Sequence, residues 1–276
     1  MIFSKNYFRR IYFILLIFLL STFSQSKSNQ SYSSDVSGFN DLILGPQINK
    51  RTNWIGNKVV NPSLEILILA GHADSQGILN GSGTSGEAVA LKGELSLDKN
   101  ISDELFWNIK VRDAIVKLGK RRGLNIRSYE PGIRKIIDPN DERTNWSVGA
   151  KNVKKGGYSL EIHFDSYGKY GNGSGLIPPL SSKLNNIDES LARSFGRYPL
   201  FFRGGLGAPR RGIRILEIGK LEGSLERNLR DLQSREKMIK LIANKVVDAI
   251  LKGIYKVDLF NPKLDEGNIF LPSSYP

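Results

Sequence analysis

A chain of 276 residues with 40 lysines and arginines against 27 acids carries a formal charge of +13, and 40% of it is hydrophobic. That apolar share excludes a disordered chain. The absence of cysteine excludes disulfides, thiolate metal sites, a cysteine nucleophile and lipidation of an N-terminal cysteine.

The first elements concern targeting. Lys5, Arg9 and Arg10 precede an unbroken apolar run, Ile11 to Leu20, and the small polar stretch "STFSQS" follows. That order predicts a secretory signal peptide over residues 1–26, and export to the periplasm or cell wall. The run is short for a membrane span. The competing reading is an uncleaved N-terminal membrane anchor. Removing residues 1–26 takes away three basic and no acidic side chains, leaving 13 − 3 = +10. Such a balance favours anionic surroundings, here an anionic wall or membrane surface rather than nucleic acid. Residues 27–60, rich in Ser, Asn and Gln at their start, are expected to form a flexible linker or N-terminal extension.

From residue 61 to 255 the pattern alternates strands and helices. The run "LEILILA" (Leu64 to Ala70) predicts a buried strand, and "EAVALKGEL" opens a short helix. Asp103 is an N-cap candidate for "ELFWNIKVRDAIVKLGKRRG", whose Leu105, Ile109, Ala114 and Leu118 form a helical row that Gly123 closes. "LNIRSYEP" is a strand that stops at Pro131. A helix is expected from Arg143 to Lys154, then the strand "YSLEIHF", a long insertion from Ser166 to Arg211, and the strand "GIRILEIG". The last helix, "REKMIKLIANKVVDAILKG", places Ile239, Ile242, Val246 and Ile250 on one face. The expected fold class is α/β: a single layered domain with a mostly parallel or mixed central sheet flanked by helices. Residues 256–276 form a Pro-bearing tail.

Only two histidines occur, His72 and His163, and both fall where a strand runs out. Reactive groups in α/β sheets collect beyond the carboxyl ends of strands. Histidine is a common zinc ligand, and a catalytic zinc takes three protein ligands plus water. With no third histidine and no cysteine, the third ligand must be a carboxylate. Asp74, Glu87, Glu161 and Asp165 are the nearby candidates, and spacing alone does not choose among them.

The pattern "AGH", Glu87 fifteen positions after His72, a strand ending in "EIHFD" and a later strand bearing "LEIG" resembles the zinc-dependent N-acetylmuramoyl-L-alanine amidases. The resemblance covers residues 64–252. It implies that His72, Glu87 and His163 hold zinc and that Glu217 is the catalytic acid/base; apart from the resemblance, Glu161 or Asp165 could support a histidine by accepting its N–H. The resemblance implies peptidoglycan as the substrate, cleaved between N-acetylmuramic acid and L-alanine. The chain differs from the family's "HGG" turn, "SIHAN" strand end and "VExGF" strand, and Lys220 stands where the last has an aromatic residue. A monomer that binds no nucleic acid is expected.

Two other classes compete. Gly81 to Gly86, "GSGTSG", matches the dinucleotide fingerprint G-x-G-x-x-G, and Glu104 follows at a suitable distance, which would make the chain an oxidoreductase. The glycines should follow their strand directly, however, and here about ten residues intervene. A non-catalytic, basic wall-binding protein is supported by charge alone. H-E-x-x-H is absent, Ser75 breaks an H-x-x-E pair, and no G-x-S-x-G elbow is present.

Overall fold

The structure is a computed structural model describing residues 44–48, 54–180, 183–202 and 206–256. The expected signal segment and most of the C-terminal tail lie outside the described residues. Among these, no helix is long and apolar enough to cross a membrane.

Five strands form one mixed sheet: β1 (Ile66–Ala70), β2 (Ile126–Ser128), β3 (Tyr158–Asp165), β4 (Gly175–Ile177) and β5 (Arg214–Lys220). Their order is β2-β1-β3-β5-β4, parallel except for β4, which runs antiparallel to β5. β1, completely buried, is a continuous aliphatic run because both faces are covered. The helices are α1 (Gly86–Ala90), α2 (Asp103–Arg121), α3 (Asn145–Lys154), α4 (Asn186–Phe195), α5 (Gly207–Arg210), α6 (Gly223–Arg230) and α7 (Arg235–Tyr255). The larger core joins Trp107, Val111 and Ile115 of α2 to Ile242, Val246 and Ile250 of α7, over Leu160, Ile162, Leu216 and Ile218. The opposite face buries Leu67, Leu69, Ile213 and Ile215, with Trp146 and Val148 of α3 packed against them. The predicted α/β sandwich and the inner face of the last helix are therefore observed.

Several local expectations are corrected. Ser102 caps α2, its side chain accepting from Leu105 N at 3.2 Å. Asp103 is the first helical residue, and its carboxylate accepts from Leu97 N and pairs with Arg230. The expected row Leu105, Ile109, Ala114 and Leu118 is helical, with Leu105 fully buried and the other three partly buried, but the buried face of α2 is wider and also takes in Glu104, Trp107, Asn108, Val111, Arg112, Ile115, Val116 and Gly119. Polar residues with specific partners replace hydrophobes there: Asn108 donates to Gly71 O, and Arg112 bonds Tyr129 O and Glu130. In the stretch expected to be a linker, Leu44, Ile48 and Trp54 are buried, and Trp54 donates from its indole to Tyr198 O at 2.7 Å. The insertion is structured as well: it contributes β4 and α4, the latter opened by a capping box of Asn185 and Asp188.

Candidate metal centre

β1 leads to β2 on one side and, later in the chain, β3 lies on its other side, so the sheet's switch point falls between β1 and β3. Ligand crevices of open α/β sheets form at this place. His72 stands two residues past the end of β1, and His163 lies near the end of β3, where its neighbour in register on β5 is Glu217. As expected, Glu217 shares its strand face with Ile215, while Leu216 and Ile218 point into the larger core.

Glu104, the second residue of α2, joins the two histidines. Its Oε1 lies 3.2 Å from His72 Nε2 and 3.1 Å from His163 Nδ1. The two rings meet edge to face with centroids 4.8 Å apart. Each ring's second nitrogen faces an acceptor. His72 Nδ1 lies 2.6 Å from the carbonyl of Gly81, so Nδ1–H donates and Nε2 is left to bind. His163 Nε2, buried and without a hydrogen-bond partner, faces Glu161 Oε2 at 3.7 Å. The backbone permits this convergence because Gly71 offers no side chain to the His163 ring and His72 itself adopts φ 64°.

The electrostatics are those of an anionic nest. Burial works against protonating His163, yet the carboxylates of Glu104, Glu161 and Glu217 raise it to about 10. Burial likewise opposes the charge of His72, and Glu104 outweighs it, so this group is raised too. For Glu104, desolvation would favour the proton, but the two histidines hold the carboxyl far below the usual range. Glu104 Oε2 also accepts from Thr84 N at 2.8 Å, fastening the glycine-rich loop to the cluster.

Among the described residues, His72, Glu104 and His163 are the set of histidines and acids whose donor atoms converge as a metal site, all within 4.8 Å of one another. Tetrahedral zinc with bonds of about 2.0–2.1 Å places its nitrogen and oxygen ligands roughly 3.3 Å apart. The Glu104 distances match that spacing. The donor set, two imidazoles and a carboxylate, is one that catalytic zinc sites use.

The other candidates lie elsewhere. Glu87 is not brought to the histidines: it pairs with Lys92 at 2.7 Å and accepts from Gly223 N at 3.0 Å, tying α1 to α6. Its charge is stabilised there by Lys92 and that N–H. Asp74 accepts from Asn145 N at the start of α3. Asp165 lines the cleft, but its carboxylate accepts from Ser166, Asn172 and Gly173 backbone N–H groups and so holds the turn after β3. Arg214 pairs with Asp188 at 2.8 Å, and Arg211 bonds Asn140 and Gly207 O. The loop Gly81–Gly86 serves the histidines: a Cβ on Gly83 would lie 2.6 Å from Glu104 Oε2 and 2.9 Å from His72 Cδ2.

The centre opens into a cleft of about 910 Å3 whose floor includes His72, Glu104, His163 and Glu217. No family model matches this sequence, and no curated protein does. Among solved structures, the chain is similar to the catalytic domain of CwlV, an N-acetylmuramoyl-L-alanine amidase from Bacillus (Paenibacillus) polymyxa var. colistinus. Identity is 19% and the TM-score 0.45, over 68% of this chain and 97% of that one. It is also similar to the CwlD amidase from Clostridioides difficile, solved in complex with the GerS lipoprotein, at 18% identity and TM-score 0.42, over 70% of this chain and 100% of that one. A third similar structure is the N-acetylmuramyl-L-alanine amidase Ami1 from Mycobacterium smegmatis, at 15% identity and TM-score 0.43, over 71% and 100% of the two chains.

Proposed function

We propose that this chain is a zinc-dependent amide hydrolase that cleaves the bond between N-acetylmuramic acid and L-alanine in peptidoglycan. The observation that carries the reading is the meeting of His72 Nε2 and His163 Nδ1 on one oxygen of Glu104, at 3.2 and 3.1 Å, beside Glu217 on the next strand. The substrate comes from the resemblance of the Gly-His turn, the "EIHFD" strand end and the "LEIG" strand to the amidases. In this reading Glu104 takes the ligand place that the resemblance gave to Glu87.

When bound, zinc supplies a Lewis acid that polarises the amide carbonyl and makes a water nucleophilic near neutral pH. The chain's own groups do the rest. The Gly81 carbonyl fixes the His72 tautomer, and Glu161 stands behind His163 Nε2 and steadies that ring. Glu217 takes the proton of the attacking water and returns it to the leaving nitrogen. It can do so because it stands beside the ligands on a different strand and is not one of the converging donors. The basic balance of the chain suits an anionic wall, and the N-terminal pattern suits export, so the protein would act outside the cytoplasm.

The test measures metal content by mass spectrometry on the purified chain and on four variants, with mass analysis of digested peptidoglycan on the same samples. Wild type and Glu87→Gln should hold about one zinc per chain. His72→Ala, His163→Ala and Glu104→Gln should lose it. Full zinc in Glu104→Gln with loss in Glu87→Gln would return the ligand role to Glu87. Digests with no free L-alanyl stem peptides would remove the amidase reading.

A further inference from the structure

Above the metal centre the cleft has two unlike walls. One is the loop Gly77–Ser85, with Asn80, Ser82, Thr84 and the exposed Leu79; the other is the turn after β3, which brings Tyr167 and Tyr170 to the rim. Resting on the amidase reading, we propose that Tyr167 and Tyr170 form a sugar-binding subsite that holds the neutral, N-acetylated glycan next to the amide to be cleaved.

Three observations carry this. The first is placement and exposure: both tyrosines line the same cleft as the catalytic groups, and Tyr170 is 66% exposed although it is a large aromatic residue. An open aromatic ring at a cleft mouth offers a flat apolar face with a polar tip, the combination that suits the C–H faces and hydroxyls of a sugar. The second is rigidity. The two rings meet edge to face with centroids 6.0 Å apart, and Lys169 Nζ lies 5.5 Å from the centroid of the Tyr170 ring. The turn beneath them is pinned at both ends. Asp165 accepts from Ser166, Asn172 and Gly173 N, and Glu222 accepts from Gly168 N. A Cβ on Gly171 would lie 1.8 Å from Ser166 O, so the turn closes tightly on itself. A platform already ordered loses little entropy when a ligand settles on it. The third is charge. The cleft's ionisable groups, His72, Glu104, His163, Asp165 and Glu217, belong to its floor or to the turn's own bonding, while the walls offer hydroxyl, amide and aromatic groups. Neutral polar lining of this kind fits an uncharged sugar bearing an acetamido group, and the Lys169 cation beside it lies over the Tyr170 ring and is not among the lining residues.

The experiment titrates the metal-free full chain with a neutral oligomer of N-acetylglucosamine and follows chemical shifts or heat. The wild-type chain should bind, Tyr170→Phe should bind nearly as well, and Tyr170→Ala should bind roughly 3–10-fold more weakly, the range of a lost aromatic contact. The double variant Tyr167→Ala/Tyr170→Ala should lose more still, and unchanged melting temperatures should show that the fold survives. Wild-type protein that ignores the oligomer, or alanine variants that bind it as well as wild type, would overturn the subsite. Metal is absent from this assay. Hydrolysis is read separately on the zinc-loaded chain: sugar binding by the metal-free chain without hydrolysis by the loaded one would count against the amidase reading alone, and hydrolysis without sugar binding against the subsite alone.

Discussion

Gly71 shows how closely the centre depends on single atoms. A Cβ at this position would lie 2.2 Å from His163 Cε1 and 2.3 Å from Nε2, distances no real contact reaches. Gly71→Ala should leave the domain folded but turn the ring off Glu104. Zinc affinity should fall about 10–100-fold, as when a group that orients a ligand is lost; titration with a competing chelator reads this, and an unchanged affinity would show that the ring can yield. Glu217 carries the proton in the proposed chemistry, so Glu217→Gln should keep zinc and fold while the rate falls on the order of 10²–10⁴-fold. Loss of zinc together with activity would make it a ligand instead. At this scale the sequence was partly legible. Two histidines at strand ends, and a glutamate on the crevice side of a strand, could be read from alternation and position. Glu104 could not be singled out as a ligand. Glu87 and Glu104 each stand second in a helix, where an acid is ordinary because it complements the helix dipole. Which of two such helices starts over the histidines depends on how the chain packs, and the one weak pointer was Glu104's distance from the glycine loop.

Among the elements, α1 and α6 are locked by carboxylates. Glu226 of α6 accepts from Ala88 N at 2.9 Å, and Glu87 of α1 accepts from Gly223 N. Glu226 is 1% exposed, and its other oxygen has no hydrogen-bond partner among the described residues. Burial raises it from 4.5 to about 7. The folded chain therefore keeps a proton that the unfolded chain gives up. The stability tied to this group is complete below about pH 4.5 and is lost as pH rises through about 7, by at most ~3 kcal/mol. Glu226→Gln keeps an oxygen for Ala88 and should flatten the denaturation midpoint between those pH values; a profile parallel to wild type would mean that other groups set it. The elements missed from sequence share one cause. α4 buries the row Ile187, Leu191 and Phe195, and α6 buries Leu225 and Leu229, but buried polar residues (Asn186, Asp188, Glu189 and Ser190 in α4, Glu226 in α6) share those faces and blur the apolar pattern. These polar groups are answered mostly by partners outside their own helix: Asp188 by Arg214 and Tyr158, Glu189 by Gly56 N and, just past the helix end, Arg197. Long aliphatic runs such as β1, and the regular apolar face of α7, needed no such knowledge.

For the molecule as a whole, chain order explains why one short crevice can hold groups drawn from residues 72 to 217. Parallel β1, β3 and β5 bring their carboxyl ends to one edge, and α2 begins above that edge. Placement in the cell belongs to this scale too. If residues 1–26 are a cleaved signal, N-terminal sequencing of protein recovered outside the cytoplasm should begin roughly 24–26 residues into the chain. Recovery of full-length chain in membranes alone would favour the anchor.

His72 holds a left-handed backbone, φ 64°, which an L-residue with a side chain adopts at a cost of roughly 1–2 kcal/mol and glycine adopts freely. Conformation and chemistry thus pull position 72 in opposite directions. Without metal, His72→Gly should therefore melt above His72→Ala by about that amount, and equal melting temperatures would show that the turn carries no such tension. A lineage that abandoned hydrolysis would be released toward glycine at this one site, so the residue found at position 72 in a related chain would serve as a record of whether its activity is still under selection.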